Sequence, residues 1–139
     1  MAVEQKVIEK IRSVLIADST IDGYVKTRVY GSHISSVKEP VHPSISLHLL
    51  PGSRKFSERG FAILNIQVDI WVLNTVPDPQ GDVFILVDRV RALLDRQKLV
   101  DSTIPLKVGM SVETNSGQMM TDPDKSLVHY PLIYQVVAA

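Results

Sequence analysis

The segment Ala62–Val72, A-I-L-N-I-Q-V-D-I-W-V, limits the possible folds more than any other stretch of the chain. Its even positions are all apolar, Ala62, Leu64, Ile66, Val68, Ile70 and Val72, whereas Asn65, Gln67 and Asp69 interrupt the odd ones. Successive side chains of a strand point to opposite faces, so this period of two describes a strand with one dry face and one partly wet face. It predicts the central strand of a sheet. A turn punctuated by Pro77 and Pro79 and a strongly amphipathic helix follow, making strand plus helix the unit on which the rest packs.

Upstream, Val3, Val7, Ile8, Ile11, Val14 and Leu15 recur at helical spacing, with Glu4, Lys6, Glu9, Lys10 and Arg12 between them, which predicts a helix over 3–16. Ser19 and Asp22 resemble a capping box, so 20–25 should add one more turn before a short strand at 27–30. Gly31 to Pro43 reads as a loop. Ile45, Leu47 and Leu49 alternate with Ser44, Ser46 and His48 in a second strand, which pairs with the central one as a hairpin across a charged loop. Asp78 as N-cap, Pro79 at the first helical position and Asp82 in the first turn open the second main helix. Val83, Leu86, Val87, Val90, Leu93 and Leu94 give its buried stripe, and Arg96 and Lys98 lie at its negative end.

Ile104, Leu106, Val108, Met110 and Val112 predict a fourth strand ending at Glu113. Val128, Tyr130, Leu132, Tyr134 and Val136 share one face of a last strand, which Pro131 assigns to a sheet edge or to a bulge. The expected architecture is α+β, a mixed, mostly antiparallel sheet with two main helices on one face in the order α-β-β-β-α-β-β. One domain over 1–139 is expected, with long loops at about 51–60 and 114–125.

Fifteen basic and fifteen acidic residues cancel, so no chain-wide field attracts nucleic acid or anionic lipid. Near-neutral charge also gives little colloidal repulsion, which suits an assembling protein. The chain has no cysteine, which removes disulfide and thiolate chemistry. Its N-terminus places charges among the apolar positions, unlike a signal peptide or a membrane span. The sequence is of a cytosolic kind, and no membrane partner is expected.

Chemistry is sparse. Of the four histidines, His33, His42, His48 and His129, the pair His42 and His48 would lie roughly 20 Å apart at about 3.3 Å per residue along a strand. Such spacing holds no metal ion, so all four read as polar-face or loop residues, and neither metal nor cofactor is expected. Asp78 and Asp82 are explained by helix capping, and Asp122 and Asp124 flank a turn proline. No phosphate-binding glycine loop and no nucleophile elbow occurs, which argues against an enzyme. A ligand-binding or catalytic domain using His129, Tyr130 and Asp122 is the alternative from another class, and it requires a pocket where polar groups converge.

The surfaces with other possibilities are few. Asp69 and Trp71, on the odd face of the central strand, must meet water or a partner, and Trp is enriched at interfaces. Arg54, Lys55 and Arg59 form a solvated loop tip or a contact arm near nucleic acid, and Met119 and Met120 are apolar residues in an otherwise polar loop.

Taken in order, L-I-A-D-S-T-I-D-G-Y-V, R-V-Y-G-S, P-S-I-S-L, V-D-I-W-V, L-V-D-R-V-R-A-L-L-D and L-V-H-Y-P-L-I-Y-Q-V span nearly the whole chain. The series resembles the tail-completion proteins of long-tailed bacteriophages, also called tail terminators or tail-to-head joining proteins. That resemblance implies a non-enzymatic α+β protein of the virion, assembled in the host cytoplasm. It implies a homo-oligomer, a hexameric ring, on the last ring of tail-tube protein, ending tube growth and offering a docking surface to the head-connector protein. DNA would pass through the lumen without sequence-specific binding. A neck or head-completion protein is the second reading within virion assembly.

Overall fold

The structure, a computed structural model, describes residues 3–31, 38, 41–51, 54–56, 61–99, 108–122 and 126–138. In chain order the elements are α1 (Val3–Ala17), α2 (Ser19–Val25), β1 (Val29–Tyr30), β2 (Ser44–Leu49), β3 (Arg54–Phe56) and β4 (Phe61–Leu73). Then come α3 (Pro79–Leu94), β5 (Gln97–Lys98), β6 (Val108–Ser116), β7 (Met120–Asp122) and β8 (Leu127–Ala138). The fold is α+β. The expected extra turn at 20–25 is the short helix α2, and the described strands form one mixed, mostly antiparallel sheet in the order β1-β2-β4-β8-β6-β5.

Two long strands form the middle of this sheet. β4 and β8 pair antiparallel along their lengths, from Ala62 opposite Ala138 to Leu73 opposite Leu127. Each carries an interrupted strand on its outer side: β2 and then β3 on β4, β6 and then β7 on β8. The short pieces β3 and β7 therefore lie toward opposite ends of the β4–β8 pair.

All three helices pack on one face. Val7, Ile11 and Leu15 of α1, Ile21 and Val25 of α2, and Val83, Leu86, Val87, Val90 and Leu94 of α3 are buried there. They meet Ile45 and Leu47 of β2, the even residues Leu64 to Val72 of β4, and Val128, Leu132, Tyr134 and Val136 of β8. The dry face of the central strand is as expected, and so is the stripe of α3, where only Leu93 is merely half-buried. Burying five such side chains from α3 contributes on the order of 10 kcal/mol gross before entropy. Asp78 caps α3 by accepting the Gly81 N–H at 3.1 Å, with Pro79 in the first turn. Arg96, beyond the helix end, adopts the left-handed conformation with φ of 56°.

Four expectations change. The cap of α2 is Asp18, one residue before Ser19, whose carboxylate accepts the Ile21 N–H at 3.1 Å. In the fourth strand, Ile104 and Leu106 lie outside the described residues, and Val112 is only half-buried while Ser111 is fully buried. The register shift between Val108 and Ser111 is responsible, because one extra residue exchanges the faces; a second shift follows between Glu113 and Asn115. Within 114–125, β6 runs to Ser116 and β7 covers Met120–Asp122, and 54–56 within the other expected loop is β3. Hydrogen bonding to a long neighbouring strand, not apolar alternation, makes these polar pieces extended.

The fourth change concerns Pro131, which lies in β8 at the middle of the sheet, not at an edge. Its carbonyl accepts the Gly117 N–H at 2.9 Å. A residue in an antiparallel ladder directs its N–H and C=O to the same neighbour, so the donor that proline lacks would point into the gap between β6 and β7. The interruption has moved into the partner strand. Gly117 completes the arrangement, since a Cβ there would lie 2.3 Å from the Pro131 Cγ.

Polar ties hold the helices to the sheet. Arg12 of α1 donates to the Val29 carbonyl at 2.8 Å, and Arg91 of α3 donates to Glu113 of β6 at 2.9 Å. Arg89 grips Asp18 through two nitrogens at 2.6 and 3.3 Å, joining α3 to the cap of α2.

Two outcomes follow for stability. Gly117→Ala is expected to cost about 1–3 kcal/mol through overpacking against Pro131. Pro131→Ala in the same chain should recover part of that loss in a urea-unfolding double-mutant cycle. The Arg89 guanidinium holds the Asp18 carboxyl below its usual range, so the contribution of the pair is complete above the ordinary Asp value of about 3.9 and is lost as pH falls through the lower folded-state value. Unfolding of wild type and Asp18→Asn, followed against pH, should therefore converge only at that acidic end.

Candidate functional site

The face of the sheet opposite the helices holds the densest polar grouping among the described residues. Register places Ser44, Trp71 and His129 in one row across β2, β4 and β8, Ser46, Asp69 and Pro131 in the next, and His48, Gln67 and Ile133 in the third. Asp69 is the centre of this three-by-three grid. The odd face of β4 was expected to meet water or a partner; Asp69 is 1% exposed and Trp71 is 8% exposed within the single chain. The covering groups are the neighbouring side chains of the same chain.

His129 Nε2 lies 2.7 Å from the Asp69 Oδ1, and the Gln67 amide donates to the same oxygen at 2.7 Å. In the tautomer that carries its proton on Nε2, His129 is the donor in that contact. His48 Nδ1 is 3.5 Å from the other oxygen, Oδ2. His48 and His129 are 19% and 16% exposed, so the two imidazoles separate the carboxylate from solvent. Burying a carboxylate is costly unless it is paired and hydrogen-bonded, and the two hydrogen bonds from His129 and Gln67 supply that compensation, with the His48 ring close by.

The indole of Trp71 lies flat against His129, ring centroids 4.0 Å apart and planes 4° apart. Its Nε1 donates to Ser46 Oγ at 3.0 Å, which extends the ring across β2 toward Tyr30, and Leu127, Tyr30 and Leu73 pack around it. His42 Nδ1 is 2.8 Å from Ser44 Oγ, and its ring tilts toward Trp71 at 6.4 Å. Burial, with a smaller contribution from Arg28, depresses the His42 pKa and favours the neutral ring.

A buried Asp–His pair can orient a base in hydrolases. Here the imidazole is stacked against Trp71, and the hydroxyls in the adjoining rows, Ser44 and Ser46, are fully buried and already engaged by His42 and Trp71. Among the described residues no group of three or more acidic, histidine or cysteine side chains is arranged to hold a metal ion. The arrangement fixes ring orientations and the register of three strands.

The remaining residues singled out in the sequence lie apart. His129 and Tyr130 are adjacent in β8 and so point to opposite faces, Tyr130 packing against the helix-side core under the Arg91 guanidinium. His129 and Tyr130 therefore do not converge on one pocket. Arg54 and Lys55 lie on β3, opposite Ile63 and Ala62, and Arg59 is outside the described residues. Met119 packs against the helix-side core, whereas Met120, 47% exposed, stands opposite His129.

Sequence reasoning treated the histidines by their spacing along the chain and missed that His48 and His129 meet at Asp69. The signal was available in part, because the polar positions of all three strands must share whichever face the apolar positions leave. It also passed over Phe84 and Ile85, which stand exposed on the outer side of α3 although the buried stripe is complete without them. The unbroken apolar run from Val83 to Val87, longer than one helix face can bury, was the visible sign.

No protein-family model matches the sequence, and no curated protein matches it. Among solved structures, the fold is similar to a chain of a structure titled "Virion of native gene transfer agent (GTA) particle", with a TM-score of 0.73 and 13% sequence identity, over 95% of this chain and 93% of that one.

Asp69→Ala leaves the His129 imidazole and the Gln67 amide without their acceptor and should cost about 3 kcal/mol, while Trp71→Ala should cost about 3–5 kcal/mol. Chemical denaturation of both variants, with circular dichroism to verify the folded state, measures the difference.

Proposed function

We propose that the chain is a structural protein of a phage-like virion, and more specifically a tail terminator. In this reading it assembles as a hexameric ring on the last ring of tail-tube protein, stops tube growth and presents a docking surface to the head connector. The observation that carries the reading is the fold shared, over nearly the full length of both chains, with a chain of a gene transfer agent virion. The ordered segments described in the sequence supply the finer role. The protein acts by association, not by catalysis, which agrees with an Asp–His pair fully engaged in packing.

The chain is made in the host cytoplasm and ends in the virion at the head–tail junction, where DNA passes the lumen without sequence-specific contact. Its zero formal charge is in keeping with a passage that does not grip DNA. Segments 51–60 and 114–125 serve as contact arms, Arg54, Lys55 and Arg59 on one and the exposed Met120 on the other. Met119 anchors the second segment to the helix-side core, and Asp69 and Trp71 lie on the other face of the sheet.

Solution mass measurement and negative-stain imaging should give a ring, and purified tails should bind the protein while purified heads without tails do not. Binding to heads alone would assign it to head or neck completion instead. A strictly monomeric protein that binds neither would sink the assembly reading.

A further inference from the structure

The chain enters β2 through residues 41–43, and a set of contacts ties this short lead to the rest of the fold. The Val41 N–H donates to the Tyr30 hydroxyl at 3.2 Å. Arg28 donates through Nε to the Pro43 carbonyl at 3.0 Å and through Nη2 to the Tyr24 carbonyl at 3.1 Å, bridging the lead to α2. His42 Nδ1 lies 2.8 Å from Ser44 Oγ, and its ring tilts toward Trp71. Just beyond, the Ile45 N–H donates to the Arg28 carbonyl at 3.0 Å, where β2 begins to pair with β1.

His42 is the member of this set whose charge changes near neutral pH. The geometry around it suits the neutral ring. His42 is half-buried, Ser44 is fully buried, and the Arg28 guanidinium, a permanent charge, is fixed on the carbonyl of the next residue. From β1, the Tyr30 hydroxyl faces the lead as the acceptor of Val41. From β4 the ring meets Trp71, while Asp69 stands one row further on beside Ser46 and accepts from His129 and Gln67. Among the described residues no carboxylate pairs with His42.

A proton on His42 therefore sets a second positive charge near Arg28, in a place partly removed from water. It also restricts the bond to Ser44. A neutral Nδ1 accepts from the hydroxyl or donates to it according to tautomer, whereas an imidazolium only donates, so a buried Ser44 that donates loses its acceptor.

We infer that His42 is an acid-sensitive latch: its neutral ring holds residues 41–44 against β1 and the Trp71 side of the sheet, and protonation releases them. Burial, and to a smaller extent Arg28, lowers the His42 pKa from its ordinary 6.5. The released ring thus takes up a proton at higher pH than the held one. The closed latch is fully favoured above the ordinary value and loses stability as pH falls below it. Release uncovers the β1 end of the sheet and one side of Trp71 in each copy of the chain, so the device acts whether or not copies assemble.

Hydrogen exchange read by NMR tests the latch, with the Ile45 amide as reporter and the amides of Val68 and Leu132, paired at the middle of the sheet, as reference. Rates corrected for intrinsic exchange give the opening equilibrium at each pH. From about pH 7.5 to 5.5 the opening at Ile45 should increase several-fold, with about tenfold as the ceiling for one proton, while the reference amides stay constant. His42→Asn cannot titrate and should remove the increase. If that variant fails to fold by circular dichroism, titration of the His42 ring signals in wild type decides, a midpoint below the ordinary histidine value being expected. No increase in wild type, an equal increase at the reference amides or in His42→Asn, or a ring midpoint at or above the ordinary value overturns the latch.

Discussion

The antiparallel pairing of β4 with β8 is the interaction on which the rest of the structure depends. It runs from one end of each strand to the other, and both interrupted strands attach to its outer sides. It also aligns the even residues of both strands into the floor that receives α1, α2 and α3. Strands joined across so much intervening chain close a large loop, at an entropic cost that grows slowly with its length, so α3 inserted between them helps by packing on both. The helix and the long pair stabilise one another.

The parts of this architecture governed by side-chain periodicity were legible in the sequence. The dry face of β4, the stripe of α3, the Asp78 cap and the apolar face of β8 all follow from local pattern, because each needs only the chain's own geometry. What escaped was set by pairing. β3, β5 and β7 are two- or three-residue strands in polar stretches, recognisable only by the strand beside them. Pro131 pointed to an edge or a bulge because its missing donor has meaning only beside the neighbour that has a gap at that place. Ser111 and Val112 exchanged faces because a bulge leaves no trace in simple alternation.

The helix-free face was legible in composition and not in arrangement. That Gln67, Asp69 and Trp71 share a face follows from alternation, and so does the separate grouping of Ser44, Ser46 and His48. Their meeting with His129 depends on register between strands 60 positions apart, a distance over which a single sequence has no means of alignment. The same missing register made Asp69 and Trp71 look solvent-facing, since the rings that cover them come from other strands. Burial here arises from neighbours in a layer, without a helix above.

The Asp69 cluster also bears on how the chain avoids folding into a wrong pairing. A slip of one residue between β4 and β8 would turn every apolar side chain of one strand outward, and the loss of hydrophobic burial alone forbids it. A slip of two residues preserves both faces, and apolar alternation scarcely distinguishes it from the native state. Only specific partners do: such a slip parts His129 from Asp69 and from the Trp71 ring, and takes one of its two hydrogen-bond donors from a buried carboxylate. The cluster thus acts as a vernier, reading position in steps to which the hydrophobic pattern is blind.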